Sequence, residues 1–218
     1  MSEHSSAAKA ISIEWWRKVA RRIRVPLGFV TAGLFLVECA RRIPHETAIA
    51  WSLVLVLPGL ALRAAASGTV KKNLELTVAG PYAFTRNPLY LGSALIAAGF
   101  ALALFSWQVA LVIVLGFAVI YIPVILSEEQ FLRGAFPEFD AYCRRVPRFF
   151  PRLMPAKFHE TNELQSSLAP VTSDAPSGFS LGLYLKHREY NAALGAALLY
   201  FNLLYLRPVL ERILHGTR

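Results

Sequence analysis

The chain has 218 residues, 55% of them hydrophobic, with a mean hydropathy of +0.43 and a net charge of +9. A soluble domain of this size carries more polar surface, so the composition selects a membrane protein. The basic residues flank apolar runs rather than forming a separate basic face, which argues against nucleic acid as their partner. Cys39 lies in an apolar run and Cys143 in a charged one, with no C-x-x-C between them, so neither a disulfide framework nor redox work is implied. His4, His45, His159, His187 and His215 are scattered, with no second ligand at helical spacing, and no metal site is expected.

Residues 1–24 are polar and then Arg-rich, without a small-residue cleavage pattern, and read as a retained cytoplasmic segment. Within them, residues 11–24 mix Trp15, Trp16 and three isoleucines with Arg17, Lys18, Arg21, Arg22 and Arg24. That mixture predicts an interfacial amphipathic helix on anionic headgroups, at its plainest a topology anchor.

A helix crosses the hydrocarbon with ~20 apolar residues, fewer where the ends snorkel. Five spans are predicted in the integral membrane region 25–218, at about 25–40, 47–62, 89–105, 107–126 and 190–206. A short connector joins the first two, and a tight turn at Ser106 makes the third and fourth a helical hairpin. Residues 157–180, rich in Ser, Thr, Pro and Ala, read as a flexible loop before the last span. With the N-terminus inside, 18 of the 23 Lys and Arg residues fall on the cytoplasmic side. The expected fold is therefore all-α: a multi-pass membrane protein of about five helices with a pocket facing the cytoplasm.

Two polar clusters stand at the ends of apolar spans: Gly80-Pro81-Tyr82-Ala83-Phe84-Thr85-Arg86-Asn87-Pro88-Leu89-Tyr90-Leu91-Gly92, and Glu128-Glu129. Polar groups at such a depth are costly unless used, so together they mark a site. Gly80-Pro81 predicts a turn, Asn87 an N-cap, and Pro88 the first position of a helix whose positive end faces the cluster. Taken singly, Arg86 fits a headgroup contact, Tyr82 and Tyr90 an interfacial aromatic belt, and the two Glu residues a solvated helix end. Their joint spacing favours a site.

The pattern G-P-Y-x-x-x-R-x-P-x-Y-x-G, followed by E-E-x-x-L, resembles the isoprenylcysteine carboxyl methyltransferase and phospholipid methyltransferase superfamily of integral membrane enzymes. A downstream stretch, from Phe131 through Phe136, Tyr142, Val146 and Pro147, is similar to the family's tail. The resemblance covers residues 74–151. It implies S-adenosylmethionine as cofactor and S-adenosylhomocysteine as product. It places cofactor contacts on Leu74, Glu75, Leu76, Thr77, Tyr82, Asn87, Pro88, Leu89, Tyr90 and Glu128. No base is assigned; Glu129 and Arg145 are candidates for orienting the acceptor, a lipophilic molecule or lipid entering from the bilayer. Three positions depart from the pattern: Asn87 stands where the family usually has His, Pro137 replaces a Gly, and Val124 stands where prenylcysteine enzymes have Arg. The last weighs against a prenylcysteine carboxylate as acceptor. Two rival readings stay open: an NADPH-dependent membrane reductase, because sterol reductases share the R-x-P-x-Y-x-G core and a similar tail, and a non-catalytic membrane scaffold.

Overall fold

A computed structural model describes residues 33–35, 37–39, 41, 45–70, 76–156, 158 and 178–206. The expected interfacial helix at 11–24, most of the span at 25–40, Leu74, Glu75 and nearly all of the 157–180 loop lie outside them. The regular structure among the described residues is helical, with no strand.

Helix α1, Glu46–Thr69, has Pro58 inside it and ends at Val70, whose backbone is extended. A 3-10 turn at Gly80–Ala83 precedes α2, Pro88–Leu104. Phe105 then takes a left-handed backbone (φ 46°) and Ser106 caps the next helix, its Oγ accepting from the Val109 amide. That reversal is the expected hairpin. Helix α3, Trp107–Ala135, runs 29 residues and carries the Glu pair on its last turns. Phe117–Tyr121 form a π-helical turn inside it. Pro123 lacks an N–H, so the regular ladder is broken one turn before it, and a widened turn takes up the mismatch. Helices α4, Phe139–Arg145, and α5, Leu181–Lys186, are short. Helix α6, Tyr190–Phe201, continues as a π turn to Leu206.

Among the described residues two helices, α1 and α3, are long and apolar enough to cross a membrane, and α2 is a shorter apolar helix of 17 residues. Only 17% of the apolar window of α3 is buried. A soluble core helix would bury most of it. The exposed residues include Trp51, Val54 and Leu57 on α1 and Leu111, Val114, Val119 and Ile122 on α3. Apolar faces this extensive belong against lipid.

Hydrophobic pull between helices is absent in lipid, so α1 and α2 associate by close backbone approach. A Cβ on Gly59 would lie 2.8 Å from the Gly92 carbonyl oxygen, and one on Gly99 would lie 2.5 Å from Val56 Cγ2 and 2.9 Å from the Ser52 carbonyl oxygen. Around this seam pack Val56, Phe100, Leu104, Val109, Ala196 and Leu203. Helix α6 joins through Tyr200, whose hydroxyl meets Ser52 Oγ at 2.7 Å and whose ring lies 5.0 Å from that of Phe100. A second, separate cluster of Phe139, Tyr142, Val146 and Ala156 sits beyond the polar end of α3.

Candidate active site

The site grows from the junction between these two clusters. Gly80 enters the 3-10 turn with φ 59°, a left-handed conformation that glycine adopts without a Cβ clash, and Pro81 follows at its start. The chain then runs towards α2 while hydrogen-bonding a second segment, 147–156. The Arg86 amide donates to the Pro147 carbonyl (3.0 Å), the Arg152 amide to Phe84 (3.0 Å) and the Ala156 amide to Ala83 (2.9 Å). Thr85 Oγ1 donates to the Phe149 carbonyl (3.0 Å). The Tyr142 hydroxyl donates to the Tyr82 carbonyl (2.8 Å), which fixes the turn on α4. Together these bonds make a polar collar at the start of α2.

Asn87 occupies the N-cap position, as its spacing predicts, but does not cap the helix with its side chain. Its Nδ2 donates instead to the Arg148 carbonyl (2.9 Å). The first turn of α2 therefore keeps its positive end towards the space in front of it.

That space is a cavity of about 420 Å³, within the ~300–1,000 Å³ typical of small-molecule sites. Leu76, Thr77, Tyr82, Asn87, Pro88, Leu89, Tyr90 and Glu128 all line it, as does Glu129. Leu74 and Glu75 lie outside the described residues. Arg145 is not part of the lining; its guanidinium stands 5.6 Å over the Phe158 ring. Val124 contributes its carbonyl to the Ser127 hydroxyl within α3.

The two adjacent carboxylates face different surroundings. Glu129 is buried, 5% exposed, and its oxygens take two hydrogen bonds from Arg148 (3.0 and 2.8 Å) and an ion pair from Arg86 (3.2 Å). Glu128, a third of a helical turn away, is exposed at the cavity and accepts from the Tyr90 hydroxyl (2.9 Å). Like charges in neighbouring positions coexist because one is neutralised by cations. The Tyr82 hydroxyl is pushed above the usual tyrosine range, first by burial and then by the negative charges of Glu128 and Glu189.

Sequence reasoning missed several lining residues. Arg63 on α1 donates to Glu189 (3.1 and 2.6 Å), to the Leu89 carbonyl (3.3 Å) and to Ser93. A cation at the end of an apolar span was a signal for it; the lone acid Glu189 offered none. Tyr121 packs edge-on to Tyr90 (5.3 Å) and stacks on Phe117 (4.5 Å). It stands seven residues before Glu128, two helical turns on the same face, a spacing that points to it. Arg148 lay in the recognised tail, yet only the folded collar shows that it clasps Glu129.

The described apolar helices, of membrane-spanning character, gather around a cavity of small-molecule size at their polar end. Residues 50–138 match the phospholipid methyltransferase family model, and this segment is a domain of that family, among the isoprenylcysteine carboxyl methyltransferase-like membrane methyltransferases. It includes most of α1 together with α2 and α3, and ends before the tail at Val146-Pro147. The chain is 46% identical over 83 residues to the cobalt-zinc-cadmium resistance protein CzcN of Cupriavidus metallidurans, a stretch that is 38% of each chain. It is 43% identical over 83 residues to the nickel-cobalt-cadmium resistance protein NccN of Alcaligenes xylosoxydans xylosoxydans, covering 38% of this chain and 39% of that one. The similarity thus spans well under half of either relative. No solved structure matches the chain.

Proposed function

We propose that the cavity binds S-adenosylmethionine from the cytoplasmic side and directs its methyl group to a lipophilic acceptor arriving from the bilayer. The observation that carries this reading is convergence: eight positions chosen from a linear motif line one cavity together with Glu128's neighbour Glu129. The donor set suits the cofactor. Glu128, oriented by Tyr90, would take the ammonium. The positive end of α2 would take the carboxylate, with Arg86 Nε, a buried donor lacking a hydrogen-bond partner, beside it. Tyr82 and Leu76 would flank the base.

The bound cofactor supplies an electrophilic methyl group on a sulfonium. The chain's part is to hold both partners in line and keep water out, effects worth ~7–11 kcal/mol when orientation is well set. Glu129, occupied by two guanidiniums, acts as a positioning residue for the collar. An anionic acceptor requires no base, and Arg145 receives no role in the cavity.

Calorimetry on detergent-purified protein tests the reading: S-adenosylhomocysteine should bind and NADPH should not. The Glu128→Ala variant should bind the former at least ~10-fold more weakly, a loss of about 1.4 kcal/mol. NADPH binding alone would move the protein to the reductases, binding of neither would favour the scaffold, and unchanged affinity in the variant would sink the role of Glu128. The relatives' names extend the proposal to metal resistance. Expression in a metal-sensitive bacterium should raise growth in cadmium, and Glu128→Ala should abolish that gain; identical growth of all strains would remove this setting.

A further inference from the structure

The segment after α4 faces two ways. Its backbone at 147–149 builds the collar, and Arg148 clasps Glu129. Its backbone returns to the collar at Arg152 and Ala156, whose amides donate to Phe84 and Ala83. Between and beside these anchors the side chains stand outward, leaving Phe150 79%, Leu153 100% and Met154 75% exposed. Phe149 links the two faces, its ring edge-on to Phe117 at 5.7 Å and to Phe150 at 5.9 Å.

These contacts fix the depth of the segment. Phe117 precedes Glu129 by twelve residues on α3, which a rise of ~1.5 Å per residue converts to ~18 Å. Arg148 and Phe149 reach these two points with their side chains, so the segment lies alongside α3 between its polar end and Phe117. Around this depth the exposed residues of α3 (Val114, Val119 and Ile122) are apolar. Residues 144–156 hold four arginines (Arg144, Arg145, Arg148 and Arg152) and no acid. Apolar tips set among cations beside a membrane span match the anionic boundary of a lipid leaflet.

We propose that residues 149–154 form a lipid-docking loop. Phe150, Leu153 and Met154 enter the headgroup–acyl boundary, and the nearby arginines engage anionic headgroups. The stem of the same loop holds Asn87 and Glu129, so docking steadies the wall of the cavity. A protein partner at this position would have to approach from within the bilayer, which makes lipid the better occupant.

The test uses the full chain in vesicles of phosphatidylcholine, with and without phosphatidylglycerol, carrying a photoreactive benzophenone amino acid in place of Leu153. Illumination should give lipid adducts, read by mass spectrometry. Their yield should rise with phosphatidylglycerol, up to about fivefold for each arginine engaged. Arg144→Gln with Arg152→Gln should erase the rise without lowering the melting temperature, a check that the fold is kept. Absence of lipid adducts in both vesicles, or adducts to protein alone, overturns the docking loop. Equal yields in the two vesicles overturn the anionic preference. The readout requires no cofactor, so it stands or falls separately from the methyltransferase proposal.

Discussion

Along the α1–α2 seam the chain is held by what is missing from it. Gly59, Gly92 and Gly99 let two helix backbones approach until a single added carbon would meet carbonyl oxygen or a valine methyl at 2.5–2.9 Å. At the collar, a few residues away, Arg86, Asn87, Glu129 and Arg148 join three chain segments through directed polar bonds. The contrast follows from the surroundings. Lipid competes equally well for apolar contacts, so helices within it associate through close packing. At the polar end, charges that would be unaffordable in hydrocarbon can be paired, and they set geometry for a ligand.

The largest effect should come from filling the seam. Gly99→Leu places several carbons where one already meets the Ser52 carbonyl and Val56. Overpacking of this kind costs ~1–3 kcal/mol or more, and against rigid backbone we expect loss of monodisperse protein in detergent. Gly134→Ala is the control. Nothing lies within 4 Å of a Cβ there, and alanine in a helix is favoured by about 1 kcal/mol. Size-exclusion profiles and melting curves of the two variants give the answer; a stable Gly99→Leu would show that the seam is looser than the distances imply.

The collar should break differently. Glu129→Gln leaves the partly buried Arg86 beside a neutral group. Removing one partner of a fully buried pair costs ~3–5 kcal/mol, and less is expected here because Arg148 is half exposed. We expect a clear drop in melting temperature, with weaker S-adenosylhomocysteine binding as a consequence. Glu128→Gln should change stability by less than about 0.5 kcal/mol, because its carboxylate is exposed. Its effect should appear in affinity. If both variants lose stability equally, the assignment of one carboxylate to structure and the other to ligand is wrong.

This difference also explains how much the sequence could reveal. Apolar runs predicted α1, α2, α3 and α6, and Ser106 predicted the hairpin, because span length and turn chemistry are local properties. The motif located most of the cavity, because Tyr82, Asn87 and Tyr90 keep fixed spacing around the start of one helix. Adjacent Glu128 and Glu129 looked alike in one dimension. Only the folded collar brings Arg148 to one and leaves the other at the cavity. Arg63 and Glu189 are 126 residues apart, and no local pattern joins such a pair. Asn87 shows the same limit: its N-cap position was legible, but its hydrogen-bond partner comes from residue 148.

The smallest effect, and the finest probe of the collar, is alkaline titration. Tyr82 and Tyr142 are both held above the usual tyrosine range, burial being the leading cause for each. Unfolded tyrosine ionises near ~10, whereas in the fold these two keep their protons. Their contribution is therefore fully present below that value and is lost as pH rises towards the folded pKa. The slope is about 1.4 kcal/mol per pH unit for each group once the unfolded chain ionises. Tyr142→Phe should remove one of the two contributions and the hydrogen bond to the Tyr82 carbonyl, costing about 1 kcal/mol at neutral pH. Melting temperature against pH, compared between the parent and this variant, should show a lower plateau and a shallower alkaline decline. Tyrosinate absorbance should rise first from the exposed tyrosines and late from these two. An unchanged alkaline slope in Tyr142→Phe would mean that water reaches the collar, and that its polar bonds are exchanged for solvent more readily than the close-packed seam allows anywhere along α1 and α2.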